Sequence, residues 1–237
     1  MQSVYNEGRA GESKAAMVYR RLREQIVRGD LDGQALDEVS LARSLGASRT
    51  PLREAFQRLA QEDLIEIVPG RGAAVRRITV QDVREIGELR LFLEPEAARL
   101  AASHVAPDAL DGVDALLASP NQVEGRAAFL ASGQHEADRR LHGLVLAYCG
   151  NRRLRAIAEG LVAPVERLQL AFYPHRLAEA AEEHRRIVDR LRAGDGSGAM
   201  VAMREHLEAT QRGLMDLIVE QSGHAVVEIR QLRTGVG

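Results

Sequence analysis

The stretch ASRTPLREAF, residues 47–56, decides how the first third of this 237-residue chain folds. Ser48 is a preferred N-cap residue, and Pro51 lacks only an amide that has no intrahelical partner in a first turn. Apolar residues follow at helical spacing, at Leu52, Ala55, Phe56 and Leu59. The stretch therefore predicts a helix that buries one face and leaves the polar residues of its first turn pointing away from the core.

Two other helical segments precede this stretch. Apolar residues at helical spacing predict a first helix that begins at Ser13, and Gly29-Asp30 supplies its stop. A second, short helix is predicted to end at Gly46, because glycine commonly terminates helices. Together with the helix after Ser48, these segments have the plan of a helix-turn-helix.

A small hairpin is predicted after the third helix. Residues 64–68 and 73–75 are short β-prone runs, and they flank the turn Pro69-Gly70-Arg71-Gly72. Such a hairpin is the wing of a winged helix-turn-helix. We therefore expect a loose arm over residues 1–12 and a winged helix-turn-helix domain over residues 13–77.

The exposed end of the third helix has the chemistry of a DNA contact. It offers hydroxyls, forked guanidiniums and free backbone amides, which suit phosphates and guanine edges in the major groove. An arginine on the glycine-flanked wing could reach the DNA backbone or the minor groove. The candidate DNA-binding residues are Arg43, Ser48, Arg49, Thr50, Arg53, Arg71 and Gly72. The alternative is that these arginines form an ordinary solvated helix face.

Long amphipathic helices are predicted from Thr79 onward. Thr79 and Asp82 resemble a capping box. The predicted apolar face of the helix that follows consists of Val83, Ile86, Leu89, Leu93, Ala97 and Leu100. Further helices are predicted at about residues 107–118, 122–148, 151–172, 175–193 and 196–222. We therefore expect a mostly α chain, with an all-α helical bundle over residues 79–222 and a tail over residues 223–237.

Composition excludes several classes of protein. With 45% hydrophobic, 28% charged and 3% aromatic residues, the chain suits globular helix packing rather than disorder or a β-sandwich. The single Cys149 excludes an internal disulfide framework, and no apolar stretch is long enough for a membrane span. Because no basic-then-apolar leader opens the chain, we expect a cytoplasmic protein. No HExxH, GxSxG or Walker motif is present, so we expect no enzyme and name no catalytic residue.

Ionisable residues face inward on three of the predicted bundle helices. Asp138 and His142 lie four residues apart and share one helix face, while His184 and His206 lie on later helices. Three imidazoles and one carboxylate could form the first coordination shell of Zn²⁺, Mn²⁺ or Ni²⁺. Spacing alone leaves two alternatives open. The histidines could be ordinary core residues, or His135, two turns before His142, could be a ligand instead.

The N-terminal pattern resembles the DNA-binding domain of GntR-type regulators. The resemblance covers about residues 13–77 and rests on LA at 41–42, LGASRTPLREAF at 45–56, Leu59 and GRGAAV at 70–75. It implies binding to double-stranded operator DNA. The chain departs from the family pattern at two turns, with Asp63 in place of a common glycine and Asp32-Gly33 in place of a common Pro-Gly. Both departures concern turn geometry rather than the predicted DNA-contacting face.

The helical part resembles the FCD effector domain of the FadR-like subfamily of GntR regulators. The matching residues are Asp138-x-x-x-His142, Gly150-Asn151, Glu183-His184, Gly194-Asp195 and Met203-x-x-His206-Leu207. The resemblance implies that Asp138, His142, His184 and His206 hold a divalent metal, with zinc as the first candidate and manganese or nickel as alternatives. It also implies that the effector is a small carboxylate or sugar acid.

Together the two resemblances predict a ligand-responsive transcriptional repressor that binds palindromic operator DNA as a homodimer. Arg90 is the first candidate for a contact with the effector carboxylate, since it lies one turn before Glu94 on the opening helix of the bundle. Its alternative role is a surface ion pair with Glu94. Two other functions stay open, namely a metal-sensing repressor and, less favoured, a metal-dependent hydrolase.

Overall fold

The computed structural model describes residues 12–31, 33–68, 72–119, 128–129, 131–171 and 176–221. The chain divides into two compact units, with the boundary between Arg77 and Ile78. The predicted arm up to residue 11, Asp32, the wing residue Arg71 and the tail over residues 223–237 lie outside the described residues. None of the described helices is long and apolar enough to cross a membrane.

The N-terminal unit combines three helices with a three-stranded antiparallel sheet in its described part. Its elements are α1 Lys14–Arg28, β1 Ala35–Leu36, α2 Glu38–Leu45, α3 Arg49–Gln61, β2 Ile65–Val68 and β3 Gly72–Val75. The strand order is β1-β3-β2, with Ala35 opposite Ala74 and Ile67 opposite Ala73. This arrangement confirms the predicted winged helix-turn-helix. Strand β1 was not predicted, because a strand of two residues is too short to show an alternating pattern.

Helix α3 is anchored by its apolar face. It packs against α1, where Leu22 and Ile26 are fully buried together with Leu52 and Leu59 of α3. Burial of each such side chain contributes about 1.5–3 kcal/mol relative to exposure. This interface therefore holds α3 in place while its first turn stays accessible to solvent.

The C-terminal unit is helical throughout its described part. Its elements are α4 Val80–Ala101, α5 Pro107–Leu117, α6 Gly133–Tyr148, α7 Arg152–Glu159, α8 Val162–Ala171, α9 Leu177–Arg192 and α10 Gly196–Gln221. The capping box forms as predicted at the start of α4. The Asp82 amide donates to the Thr79 hydroxyl over 3.1 Å, and the Thr79 amide donates to the Asp82 carboxylate over 2.7 Å. The predicted all-helical domain is thereby confirmed.

The two longest described helices of this unit, α4 and α10, pack against each other. Helix α4 buries Ala97, Ala98 and Ala101 completely, and α10 buries Ala199 and Met203 completely. Helix α10 also packs against α9, and α6 packs against both α4 and α9. The helices that carry the predicted metal ligands thus meet in one bundle with α4.

Three details of the predicted helices are corrected. The helix expected from residue 122 begins at Gly133. Ser132 is its N-cap residue, and the Ser132 hydroxyl accepts a hydrogen bond from the His135 amide. The helix expected over 151–172 is two helices, interrupted at Gly160, a residue type with low helix propensity. Leu89, assigned to the buried face of α4, is 44% exposed. The buried face of α4 includes Arg90 and Glu94. A prediction that counted only apolar residues therefore placed the centre of the buried face wrongly.

We predict that Asp63 places a measurable strain on the N-terminal unit. Asp63 has φ of 58°, a left-handed conformation in which a side chain costs about 1–2 kcal/mol, and its carboxylate pairs with Arg76. Asp63→Ala should therefore lower the free energy of unfolding by about 1 kcal/mol, because alanine lacks the short polar side chain that helps aspartate adopt this conformation and also loses the ion pair. Asp63→Gly should stay within about 0.5 kcal/mol of the parent. Calorimetric unfolding of the full chain measures both, and equal destabilisation would contradict the backbone explanation.

Candidate functional site

The turn between α2 and α3 exposes most of the residues predicted to contact DNA. Gly46 ends α2 with φ of 59°, which glycine adopts without the steric cost of a side chain. The Ala47 amide donates to the Ala42 carbonyl over 3.0 Å and closes the turn. The exposed candidates on or beside this turn are Arg43, Ser48, Arg49, Thr50 and Arg53. Gly72 opens β3 and is half-buried, whereas Arg71 lies outside the described residues.

Two features of this exposed tip were not foreseen from sequence. Ser48 occupies the N-cap position of α3, but its hydroxyl makes no capping hydrogen bond. Arg53 Nε lies 3.3 Å from a carboxylate oxygen of Glu38 on α2. Because Arg53 is largely exposed, this ion pair is weak and can be exchanged for a phosphate contact.

Four potential metal ligands converge in the C-terminal unit. Asp138 and His142 lie one turn apart on α6, His184 lies on α9, and His206 lies on α10. One donor atom from each residue lies within 4.8 Å of all the others. His184 and His206 are 2% exposed, and the other two are half-buried. The structure thus brings together all four residues that were named as candidate ligands.

The distances between the donor atoms of this cluster match those expected between ligand atoms around a single metal ion. His184 Nε2 lies 3.4 Å and His142 Nε2 lies 3.7 Å from Oδ1 of Asp138. His184 Nε2 and His206 Nε2 are 3.3 Å apart. Tetrahedral ligands at about 2.1 Å from zinc are separated by roughly 3.4 Å. The three Nε2 atoms and the carboxylate oxygen therefore face a common point.

Two glutamates hold the outer nitrogens of two of these histidines. Glu94 Oε2 lies 2.5 Å from Nδ1 of His142, and Glu183 Oε2 lies 2.9 Å from Nδ1 of His206. When Nδ1–H donates a hydrogen bond to a carboxylate, the imidazole keeps its proton on Nδ1, and the lone pair of Nε2 is available to a metal. Sequence analysis did not assign this role to either glutamate. The sequence did contain an indication of it, because Glu94 lies one turn after Arg90 and Glu183 directly precedes the candidate ligand His184.

Each outer glutamate also pairs with an arginine. Arg90 Nε lies 2.6 Å from Oε1 of Glu94, and Arg176 Nη2 lies 2.5 Å from Oε1 of Glu183. Arg90 and Glu94 are only 7% and 8% exposed. They do form the ion pair that was considered as an alternative, but this pair is buried and not at the surface. Two arginine–glutamate–histidine chains thus flank the ligand cluster.

The surroundings keep Asp138 and His206 in the forms that bind cations. Burial opposes the ionised form of Asp138, but nearby His142, His184 and Arg90 outweigh it and hold the pKa of that carboxyl well below its usual range. Burial and the adjacent His184 lower the pKa of His206 to about 3. A carboxylate anion and a neutral imidazole are the protonation states that coordinate metals.

The donor set fits a divalent metal better than it fits a closed hydrogen-bond network. His142 Nε2 and His184 Nδ1 are buried without a hydrogen-bond partner. Each such atom costs about 1–3 kcal/mol, and coordination of His142 Nε2 would remove one of these costs. His135 lies outside the cluster, with its ring against Phe129 at a centroid distance of 4.9 Å. The geometry therefore does not support His135 as a replacement ligand.

A cavity of about 130 Å³ lies beside the cluster. Its lining includes the ligands Asp138, His184 and His206, together with Arg90 and Arg176. The volume is close to that of the roughly 150 Å³ cavity that accommodates benzene in another protein, so it suits a small molecule. The arginine predicted to contact an effector thus shares one space with the candidate metal ligands.

Known proteins match both units of the chain. The profile described as "Bacterial regulatory proteins, gntR family" matches residues 14–75, and the profile of the FCD domain matches residues 85–209. The chain belongs to the GntR family. It carries the FCD domain that the resemblance of its helical part predicted. GntR-family regulators bind operator DNA, so this chain is a transcriptional regulator.

Relatives and solved structures agree with this assignment. The GntR-family chain is 34% identical over 189 residues to the probable D-xylose utilization operon transcriptional repressor of Paenarthrobacter nicotinovorans, covering 78% of this chain and 81% of that protein. It is 28% identical over 208 residues to the HTH-type transcriptional repressor RspR of Escherichia coli strain K12, with 86% and 90% covered. The structure of E. coli McbR/YncC has a TM-score of 0.72 at 23% identity, with 87% and 99% covered, and shares the fold.

We predict that the ligand cluster binds Zn²⁺ and that the binding depends on its individual members. Glu183→Gln should weaken zinc binding about 10–100-fold, the usual effect of losing an outer partner. His184→Ala should weaken it by more than about 100-fold, because it removes a ligand itself. Competition with a chromophoric zinc chelator measures both affinities on the full chain.

His135→Ala is the matched control for this measurement, since it removes a buried histidine of the same helix as Asp138 and His142. Its zinc affinity should stay within about threefold of the parent. Strong loss of zinc binding in His135→Ala, together with unchanged binding in His184→Ala, would overturn the assignment.

Proposed function

We propose that this GntR-family regulator is a repressor that binds palindromic operator DNA as a homodimer and senses a small carboxylate at a metal-containing pocket. The observation that carries the proposal is the cavity that Arg90 shares with Asp138, His184 and His206. A metal ion held by these ligands, together with the guanidinium of Arg90, would attract an anion into this small space. Two relatives that carry the word repressor in their names support the direction of regulation.

Asp138, His142, His184 and His206 would hold the metal. Zinc is the first candidate, because three imidazoles and one carboxylate are typical zinc donors, and manganese and nickel are the alternatives. When bound, the ion would supply a localised positive charge beside the cavity. Glu94 and Glu183 orient two of the imidazoles, and they hold those ring protons away from the ion.

Arg90 is proposed to contact the effector carboxylate. A guanidinium donates two parallel hydrogen bonds to a carboxylate, and such charge-assisted bonds are about twice as strong as neutral ones. Arg90 already bonds Glu94, and its Nη2 also lies 3.5 Å from Nδ1 of His142. An effector at Arg90 would therefore disturb an ordered set of side chains rather than fill an inert space.

A rearrangement of Arg90 and Glu94 would affect α4, the helix that follows the boundary between the two units. Arg90 and Glu94 both lie on α4, whose N-cap Thr79 comes two residues after Arg77. We propose that rearrangement on α4 changes which conformations of the regulator are compatible with DNA. To change operator occupancy, the effector must bind one of these conformations more tightly than the other.

The exposed tip of α3 is the proposed DNA contact. Ser48, Arg49, Thr50 and Arg53 are exposed there, and Arg43 lies beside them on α2. Their guanidiniums and hydroxyls suit guanine edges and phosphates, while Leu52 and Leu59 anchor the opposite face of the helix. Arg71 and Gly72 of the wing are proposed to contact the flanking backbone or the minor groove.

A homodimer is supported by apolar side chains on the outer face of α4. Phe92 is 78% exposed and Leu89 is 44% exposed, and residues three apart on a helix are neighbours. A second copy covering this face would remove both side chains from water. A two-fold dimer would also present two winged units to the two half-sites of a palindrome, about one helical turn apart.

We predict that Arg49→Ala weakens operator binding at least tenfold and lowers the salt dependence of binding. A protein that neutralises one phosphate fewer has a slope of log affinity against log salt that is smaller by about 0.9. The probe is a duplex selected from random sequences by the parent protein, and fluorescence anisotropy measures the affinity at several salt concentrations. Arg204→Ala is the control, because it removes an exposed arginine from α10 in the other unit. Parent-like affinity and slope in folded Arg49→Ala would contradict the proposed interface.

We predict that small carboxylates stabilise the zinc-loaded protein and weaken its binding to the same duplex, and that chelation abolishes both effects. Thermal unfolding and anisotropy, each with and without a chelator, measure these responses. If the ion itself is the signal, chelation alone will abolish DNA binding without any carboxylate. Chelator-sensitive turnover of an ester or acid would instead indicate the metal-dependent hydrolase. Either result would replace the proposed function.

A further inference from the structure

The cavity beside the ligand cluster has a polar end and an apolar wall. The polar end contains the two arginines and three of the metal-type ligands. The wall includes aliphatic side chains from α4, α8 and α10, among them Val83, Ile86, Leu168, Leu214 and Leu217. Val83, Leu168 and Leu217 belong to a buried apolar cluster and are at most 8% exposed. A molecule that fills the cavity therefore meets charges at one end and hydrocarbon along its body.

The amide nitrogens of two glutamines in the cavity lining donate to protein carbonyls. Gln134 Nε2 donates to the carbonyls of Leu117 over 3.3 Å and Ser119 over 2.9 Å. Gln211 Nε2 donates to the carbonyl of Val83 over 3.2 Å. Thr210 adds one hydroxyl to the lining. Three of the four amide N–H groups are thus committed to protein carbonyls, so the described wall offers a ligand mainly two amide oxygens and one hydroxyl, few polar groups for a molecule that carries many hydroxyls.

The charges around the cavity nearly cancel. Arg90 is neutralised by Glu94, and Arg176 is neutralised by Glu183. The remaining charged side chain of the lining is Asp138, with one negative charge. A divalent cation held by the cluster would bring this site to a single positive charge, which one carboxylate neutralises. A second carboxylate would make the site net negative, and it could reach Arg176 only in competition with Glu183, which already pairs with that guanidinium. Elsewhere it would lie against hydrocarbon, where an unpaired ion is costly.

We infer that the effector is a monocarboxylate with an apolar body, which the cavity binds in preference to dicarboxylates and polyhydroxylated sugar acids. The inference rests on the proposed function, because it takes the cavity as the effector site. The carboxylate lies at the metal and Arg90, and the body extends along Val83, Leu214 and Leu217. Binding then gains from apolar contact along the wall and leaves no ligand hydroxyl or second anion without a partner.

Four six-carbon probes test this inference on the zinc-loaded full chain. They are hexanoate, adipate, gluconate and hexanamide, and they differ in charge or in hydroxyl content. Isothermal titration should find that hexanoate binds at least about tenfold more tightly than each of the others. Adipate adds a second anion, gluconate adds hydroxyls, and hexanamide removes the charge.

A pair of leucine variants tests the wall directly. Leu214→Asn places an amide of similar size in the wall and should lower the preference for hexanoate over gluconate at least about fivefold, with zinc affinity unchanged. Leu154→Asn is the control, because Leu154 is also a half-buried leucine but packs against the main core, away from the cavity. Its preference should match that of the parent.

The outcomes separate this inference from the proposed function. If adipate or gluconate binds as tightly as hexanoate, the monocarboxylate inference is wrong while a carboxylate-responsive regulator still stands. An equal response of both leucine variants would likewise overturn the assignment of the wall. If the protein binds zinc but none of the three carboxylates, the proposed carboxylate sensing fails together with the inference.

Discussion

The pairing of buried imidazoles with outer carboxylates is the constraint on which the C-terminal unit depends. Histidines in the interior of a helical bundle lose hydration and need polar partners there. Glu94 and Glu183 provide such partners for the Nδ1 atoms of His142 and His206, which turns the Nε2 atoms toward Asp138 and His184. The centre of this bundle is therefore organised by polar geometry as well as by apolar packing.

This constraint explains the unusual face of α4. A helix that only needed stability would bury apolar residues, because a buried ion pair seldom stabilises more than hydrocarbon of the same volume. Helix α4 instead buries Arg90 and Glu94, and a turn later it buries Ala97 and Ala101 completely. The polar segment contacts the ligand cluster through His142, and the alanine segment belongs to the main apolar core.

The N-terminal unit separates anchoring from recognition on a single helix. The apolar face of α3 is buried against α1, while the residues of its first turn are exposed. Gly46 and the closed turn after α2 fix where α3 begins, so its exposed first turn has a defined position. The same logic appears in both units, since each uses a well-packed apolar interface to hold a few polar groups in a defined geometry.

The sequence by itself determined the two domain types, the tip of α3 and the four candidate metal ligands, because each is marked by local spacing or by a family motif. Helical periodicity is a local property, so Asp138 and His142 could be placed on one face without knowledge of the fold. Tertiary structure alone decided that Glu94 and Glu183 support the histidines, that Arg176 joins the cavity, and that Arg90 is buried rather than at the surface. It also excluded His135 from the cluster and exposed Leu89. These outcomes depend on which faces of separate helices meet, and that is set by packing between residues far apart in the chain.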